Sequence, residues 1–295
     1  MRIAVTGKAG QVVSALLERG AVQGHKVVAL GRPELDLSNP ASVAAALAAA
    51  APEAIVSAAA YTAVDKAESE ADLAQAVNGA GAGAVAVAAA ALGVPLVHVS
   101  TDYVFDGTLD RPYRETDPTG PSGVYGLSKL AGEQAVLAGC RDAAVLRVAW
   151  VYSPFGANFV KTMLRLAADR DEVGVVADQI GNPTSALDIA DGILRVAGNL
   201  AGSDDTALRG IFHMTAAGEA SWAEFAEAIF AASAARGGAS AGVRRIATAD
   251  YPTPAKRPAN SRLDCGLIAR THGVILPDWR SSLDPVVTRL IPPAS

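Results

Sequence analysis

Short apolar runs rich in valine and isoleucine recur along the first half of the chain, at 3–6, 26–30, 54–58, 95–100 and 144–148. They barely alternate, and a strand that is apolar at every position is one covered on both faces. Between them lie alanine- and leucine-rich stretches of helical length, at 11–20, 40–51, 68–92 and 122–139. Strand and helix in alternation build βαβ units. The fixed hand of such crossovers predicts an α/β fold, a doubly wound parallel sheet of the Rossmann type. After Trp150 the pattern loosens. Residues 158–170 read as a helix, 172–177 as a strand, 187–198 as its helix, 210–215 as a strand and 221–235 as a further helix. Ser221 and Glu224 form a capping box at the start of that helix. The stretches 202–206 and 234–242 read as loops, and the prolines around 253–258 predict an extended segment.

This division predicts a dinucleotide-binding domain over 1–150, to which 172–215 also contributes. Residues 151–171 and 216–295 are expected to form a smaller C-terminal substrate-binding lobe. Residues 75–98 carry no formal charge, which raises the question of a membrane span. Glycines at 79, 81, 83 and 93 and Pro95 break that stretch into a buried helix and a buried strand instead, so no membrane partner is expected.

Composition narrows the picture a little. Apolar residues make up 51% and charged residues 19%, a globular balance. A net charge of -5 gives no general attraction to nucleic acid or anionic lipid. Cys140 and Cys265 have no paired or metal-binding spacing, and the four histidines have none either. The N-terminus runs straight into a strand without a signal pattern. These features predict a cytoplasmic protein with no metal site.

Candidate chemistry begins at Gly7-Lys8-Ala9-Gly10-Gln11-Val12-Val13, between the first strand and the first helix. A glycine turn there lets the backbone approach a pyrophosphate, and the helix N-terminus offers free N–H groups. Gly7, Gly10, Gln11 and Val12 are therefore the expected dinucleotide cradle. Val13 stands where a third small residue is usual, which predicts a shifted helix or a small partner such as Ala59. Arg32 after the second strand suits a 2′-phosphate, although a solvated surface role fits it equally well. Asp36 and Leu37 lie just beyond. Together these predict NADPH as cofactor, with NADH tolerated.

Tyr125 and Lys129 are one turn apart on a helix face, where the lysine charge is expected to lower the tyrosine pKa and make the phenol a usable acid. Ser100-Thr101-Asp102-Tyr103 ends the fourth strand, the position where doubly wound sheets hold ligands. Thr101 would hydrogen-bond a substrate carbonyl beside Tyr125. A glycine loop followed by these three residues in this order predicts a reductase or dehydrogenase. Arg257 and Arg262 are candidates to clamp a substrate diphosphate, since arginine makes bidentate phosphate contacts.

Several segments carry a more specific resemblance: Ala58-Ala59-Ala60-Tyr61-Thr62-Ala63-Val64-Asp65-Lys66-Ala67-Glu68, Ser100-Thr101-Asp102-Tyr103-Val104-Phe105-Asp106-Gly107, Tyr125-Gly126-Leu127-Ser128-Lys129-Leu130-Ala131-Gly132-Glu133, Arg147-Val148-Ala149-Trp150-Val151-Tyr152 and Asp178-Gln179-Ile180-Gly181-Asn182-Pro183-Thr184. In these the chain resembles the dTDP-4-dehydrorhamnose reductases of the extended short-chain dehydrogenase/reductase family along nearly its whole length. The resemblance implies NAD(P)H-dependent reduction at C4 of dTDP-4-dehydro-β-L-rhamnose to dTDP-β-L-rhamnose, the last step of dTDP-L-rhamnose biosynthesis. It implies Tyr125 as proton donor, Lys129 as its tuner and a ribose ligand, and Thr101 as the residue that polarises the carbonyl. Asp102, Tyr103 and Trp150 would line the sugar pocket, and Ala60, Tyr61, Thr62 and Val99 the cofactor. The alternatives are a reductase of another nucleotide 4-keto-6-deoxy sugar and a non-catalytic NADP-binding regulatory subunit. Some members of the family dimerise through acidic residues that bind magnesium. Leu187 occupies the position where such a residue is sought, which argues against a Mg2+ requirement and leaves monomer and homodimer open.

Overall fold

The computed structural model describes residues 1–291. In chain order the first half runs β1 (Arg2–Thr6), α1 (Gln11–Val22), β2 (Lys26–Leu30), α2 (Pro40–Ala50), β3 (Ala54–Ser57), α3 (Val64–Ala67), α4 (Ala71–Gln75), α5 (Ala82–Leu92), β4 (Leu96–Thr101), α6 (Val124–Gly139) and β5 (Ala143–Val148). A π-helical turn, Ala76–Gly81, joins α4 to α5. The second half runs β6 (Val151–Tyr152), α7 (Phe159–Ala167), β7 (Glu172–Val176), β8 (Ile180–Gly181), β9 (Thr184–Ser185), α8 (Ala186–Gly202), β10 (Gly210–His213), β11 (Ala220–Ser221), α9 (Trp222–Ala234), β12 (Gly242–Ile246), α10 (Gly266–His272) and α11 (Trp279–Leu290).

Six strands form one parallel sheet in the order β2-β1-β3-β4-β5-β10. Every residue of β3 and β5 is buried, as sequences apolar everywhere but at Ser57 and Arg147 require. Ala15 and Leu16 of α1, Ile189 and Ile193 of α8 and Ile268 of α10 cover one face. Val43 and Leu47 of α2, Val85 of α5 and Val136 of α6 cover the other. The uncharged stretch is thus a sheet-covering helix followed by the central strand β4. By length and composition, helix Ala71–Leu92 also meets the requirement for a membrane span. The direction of winding reverses at β1, with β2 on one side and β3 on the other. The crevice at the C-terminal ends of strands beside such a reversal is where these sheets take ligands.

The lobe has a core of its own, in which Tyr152, Phe225, Phe230 and Trp279 carry most of the bulk. Ser221 caps α9 in the expected capping box with Glu224. The chain weaves between sheet and lobe more often than its pattern suggests. The strand at 172–176 lies in the lobe, pairing with β12, and not in the main sheet, to which the sequence pattern allots 172–215. The contribution to the sheet begins only at α8 and ends with β10, the sixth strand. In turn α10, expected in the lobe, packs on the sheet through Ile268. The strand β12 itself was not anticipated. Its half-exposed Gly-Val-Arg-Arg-Ile sequence lacks the apolar run that marks the buried strands.

Candidate active site

The loops after β1, β3, β4 and β5 enclose a cleft of about 610 Å³ lined by Gly7, Gly10, Gln11, Val12, Ala60, Thr62, Val99, Thr101, Asp102, Tyr103, Tyr125, Lys129 and Trp150, among others. Gly7 has φ +104, and a Cβ there would lie 3.1 Å from Val13 Cγ2 and 3.5 Å from Ala59 Cβ. The valine at the third position is therefore accommodated by a bare Gly7 and a small Ala59, with no further space to spare. Gly10 stands open, with nothing within 4 Å of where its Cβ would be. It begins α1 without a side-chain cap, so the first N–H groups of the helix remain available to an anion.

The catalytic candidates meet beside this cradle. Tyr125 and Lys129 project from the first turns of α6. That helix approaches the β4 end so closely that a Cβ on Gly126 would lie 2.2 Å from the Tyr103 carbonyl oxygen. Lys129 is 2% exposed, and its Nζ donates to the Val99 carbonyl at 2.7 Å. Burial pulls its pKa down to about 8, against a smaller opposing pull from Glu133. Burial also raises the Tyr125 phenol well above its ordinary value, with the neighbouring Thr101 hydroxyl offsetting part of the shift. This corrects the expectation that Lys129 lowers the Tyr125 pKa. Desolvation of the phenol is the largest influence, and Lys129 is not among the groups that shift it. The consequence suits a reduction, because a phenol that stays protonated is ready to donate to an alkoxide.

Thr101 Oγ1 donates to Asp102 Oδ1 at 2.9 Å and accepts from the Tyr103 amide. Asp102 Oδ2 is buried without a partner. Desolvation pushes this carboxyl up to about 6. An orphaned acceptor in a cleft wall is suited to receive a hydroxyl from a ligand. Trp150 follows β5 with φ +47, a left-handed conformation uncommon outside glycine.

A second cavity of about 670 Å³ adjoins this cleft on the lobe side, and Tyr103 lines both. Its walls include Phe159, Arg165, Arg170, Gln179, Trp222, Tyr251 and Arg257. Asp65 holds Arg257 Nη2 at 2.7 Å, while Arg257 Nη1 is buried and unpartnered. A positive donor with a free N–H beside a cavity is a ready phosphate ligand.

Five predicted residues fall outside the two cavities. Arg262 is engaged by Glu219, by the Asn260 side chain and by the Asp110 carbonyl, so its guanidinium is not available as a clamp. Leu37 is a core residue packed with α2 and α5, and Asp36 turns its carboxylate back onto Ser38. The Tyr61 hydroxyl donates to Glu70 at 2.6 Å; only its backbone stays near the cleft, tied to Asn78. Arg32 is exposed beside the cradle, where its carbonyl accepts from Lys8 Nζ.

Other contributors were missed. Glu133 and Arg147 form a bidentate ion pair under the cleft floor, at 2.9 and 2.6 Å, and Ser100 Oγ donates to Glu133 at 2.5 Å. Both charged side chains are at most 2% exposed, and removing one from such a pair typically costs about 3–5 kcal/mol. The signal was present. Glu133 follows Lys129 by four residues on the same helix face, and Arg147 interrupts an otherwise apolar buried strand, which demands a partner. Asn78, in the π turn, links the Tyr61 backbone to Ser128 of α6. Arg165, Arg170 and Tyr251 carry no spacing that would single them out.

Known proteins bear on the same reading. The sequence profile of the RmlD substrate binding domain matches residues 1–291. A dTDP-4-dehydrorhamnose reductase of Sinorhizobium fredii is 52% identical over 291 residues, covering 99% of this chain and 98% of that protein. The structure of a dTDP-4-dehydrorhamnose reductase from Clostridium acetobutylicum superposes with a TM-score of 0.91 at 36% identity, covering 98% of this chain and 99% of that one. The Bacillus anthracis dTDP-4-dehydrorhamnose reductase in complex with NADP superposes with a TM-score of 0.90 at 35% identity, covering 97% and 98%. With the profile and these relatives matching from end to end around one cleft, the chain belongs to the dTDP-4-dehydrorhamnose reductase family.

Proposed function

We propose that this protein reduces the C4 ketone of dTDP-4-dehydro-β-L-rhamnose to the alcohol of dTDP-β-L-rhamnose, with NADPH as the reductant and NADH as a weaker substitute. One observation carries the reading. Tyr125, flanked by the buried Thr101 and Lys129, stands where a dinucleotide cleft meets a cavity edged with arginines. That arrangement suits a ketone attached to a nucleoside diphosphate. The relatives bearing this name and the bound NADP of one of them support the same substrate and cofactor.

The cleft residues fit a dinucleotide. The open Gly10 and uncapped α1 would receive the pyrophosphate, and Lys129 the nicotinamide ribose. Bound there, the nicotinamide supplies the hydride that C4 of the sugar accepts. Thr101 orients the ketone oxygen, and Tyr125 delivers its phenolic proton to that oxygen as negative charge builds. Lys129 holds positive charge behind the phenol, and the Glu133–Arg147 pair keeps α6 and β5 in register beneath it. Asp102 would accept a sugar hydroxyl, Trp150 would form the wall beside the ring, and Arg257 would take a phosphate oxygen on its free Nη1. Residues 1–150, 186–213 and 266–276 carry the cofactor in this reading, and the lobe carries the nucleotide. The enzyme acts in the cytoplasm, with Cys140 and Cys265 as unpaired thiols.

The test is turnover of purified protein with NADPH and enzymatically generated dTDP-4-dehydro-β-L-rhamnose, with the product identified. Formation of dTDP-L-rhamnose is the expected result. A different C4 epimer would keep the chemistry and change the substrate assignment. Tight NADPH binding with no oxidation would overturn the reading.

A further inference from the structure

Trp150 and Trp222 lie face to face, with ring centroids 3.6 Å apart and an interplanar angle of 6°. The pair separates the two cavities, since Trp150 lines the catalytic cleft and Trp222 lines the lobe cavity. Trp150 has little freedom to do anything else. Its backbone is left-handed, and its carbonyl accepts from the Thr184 amide. Its indole abuts Gly181, where a Cβ would lie 2.4 Å from Trp150 Cε2. A non-glycine residue at positive φ persists only where its surroundings over-determine it. The stack on Trp222 adds a contact from α9 on its open ring face. Trp222 opens α9 directly behind the Ser221–Glu224 capping box, and Phe159 of α7 tilts against it at 4.6 Å. Both Trp222 and Phe159 border the lobe cavity.

We propose that Trp222 is a positioning residue for the reaction. It holds the Trp150 indole against the reacting sugar and transmits the filling of the lobe cavity to the catalytic cleft. The proposal rests on the reading above, in which the nucleotide occupies the lobe cavity and the sugar the cleft. A ligand pressed against Trp222 on the lobe side fixes the ring that fixes Trp150, so nucleotide binding tightens the wall around C4.

The experiment has a kinetic and a spectroscopic arm. Trp222→Ala is expected to lower kcat on the order of tenfold to a hundredfold, the size of effect that follows when a reacting group is displaced by about an ångström. NADPH affinity in the same variant should be unchanged. Trp222→Phe, which keeps a stacking ring, should restore most of kcat. Stacked indoles give an exciton couplet in far-ultraviolet circular dichroism; it should be present in the wild type, absent from both variants, and altered when dTDP is added to the NADP-loaded wild type. Wild-type kcat in Trp222→Ala would overturn the positioning role. Failure of Trp222→Phe to rescue would do the same, as would a loss of NADPH affinity matching the loss of rate. A couplet unmoved by saturating dTDP would overturn the transmission. A wild-type protein that turns over no nucleotide sugar would sink the proposed function, and the response of the couplet to dTDP would still decide the transmission separately.

Discussion

The cleft in the sheet and the cavity in the lobe are of similar size but are made of different material. Glycine, alanine and valine line much of the cleft, so what it offers a ligand is chiefly backbone, with Tyr125, Lys129 and Asp102 set into it. The lobe cavity sets three arginines and four aromatic rings among its valines, drawn from separate stretches of the chain. A site made of backbone depends on where small residues allow close approach, and it tolerates few changes of shape. A site made of long side chains depends on which individual guanidinium is left free, and a neighbouring arginine cannot replace it. Within one chain, then, the two halves should respond to substitution in different ways.

The largest effect is expected inside the cleft. Tyr125→Phe removes the proton donor and keeps the shape, so turnover should fall by roughly a hundredfold or more while NADP+ affinity stays near wild type. Equal rates in the two proteins would exclude Tyr125 as the acid. Asp102 tests the other cost of placing charge in a dry cleft. Its carboxyl titrates near 6 when folded and about 3.8 when unfolded, so protonation favours the folded state. Stability should therefore decline as pH rises from about 4 to about 6 and remain lower above that. A shift of this size corresponds to about 3 kcal/mol at most. Asp102→Asn should flatten the profile and be more stable than wild type at pH 7 in urea unfolding; parallel wild-type and variant profiles would show that the carboxyl is already relieved of its desolvation.

The lobe should distinguish its arginines. Arg257→Ala should raise KM for the nucleotide sugar about tenfold to a hundredfold, as loss of a charged hydrogen bond would, and leave NADPH titrations unchanged. Arg262→Ala is the smallest expected change. Its charged partner Glu219 is exposed, so loss of that ion pair should lower stability by about 1 kcal/mol or less, with KM unmoved. If Arg262→Ala raised KM as much as Arg257→Ala, the lobe would bind phosphate collectively, and the contrast between the halves would fail.

The same difference in material explains what the sequence revealed. The strands of the sheet announce themselves, because burial on both faces demands apolar runs such as 54–56. The glycine cradle is legible for a similar reason, since Gly7 answers a requirement of the backbone. The lobe conceals its strands. β6, β8, β9 and β11 are two residues each, too short for any period to show, and β12 carries two arginines. Arg257 and Arg262 looked alike as clamps, and only tertiary structure separates them. A pairing of Asn260 with Ile180 turns the chain so that Arg262 meets Glu219, while Asp65 claims one nitrogen of Arg257 and leaves the other free. Arg147 and Glu133 could have been matched from the sequence, because a charge in a buried strand always raises the question of its partner.

The weave of the chain has a consequence for how the protein is made. A nascent chain that has left the ribosome through residue 150 contains five of the six sheet strands, yet α8 and α10, which cover one face, and β10, which closes one edge, are still to be synthesised. Until roughly residue 276 has emerged, Val56, Val97 and Leu146 have no complete cover, and β5 remains an open edge. Chaperone occupancy during translation should therefore persist almost to the end of synthesis, and a truncation at 150, however well it matches a dinucleotide-binding unit in outline, should aggregate.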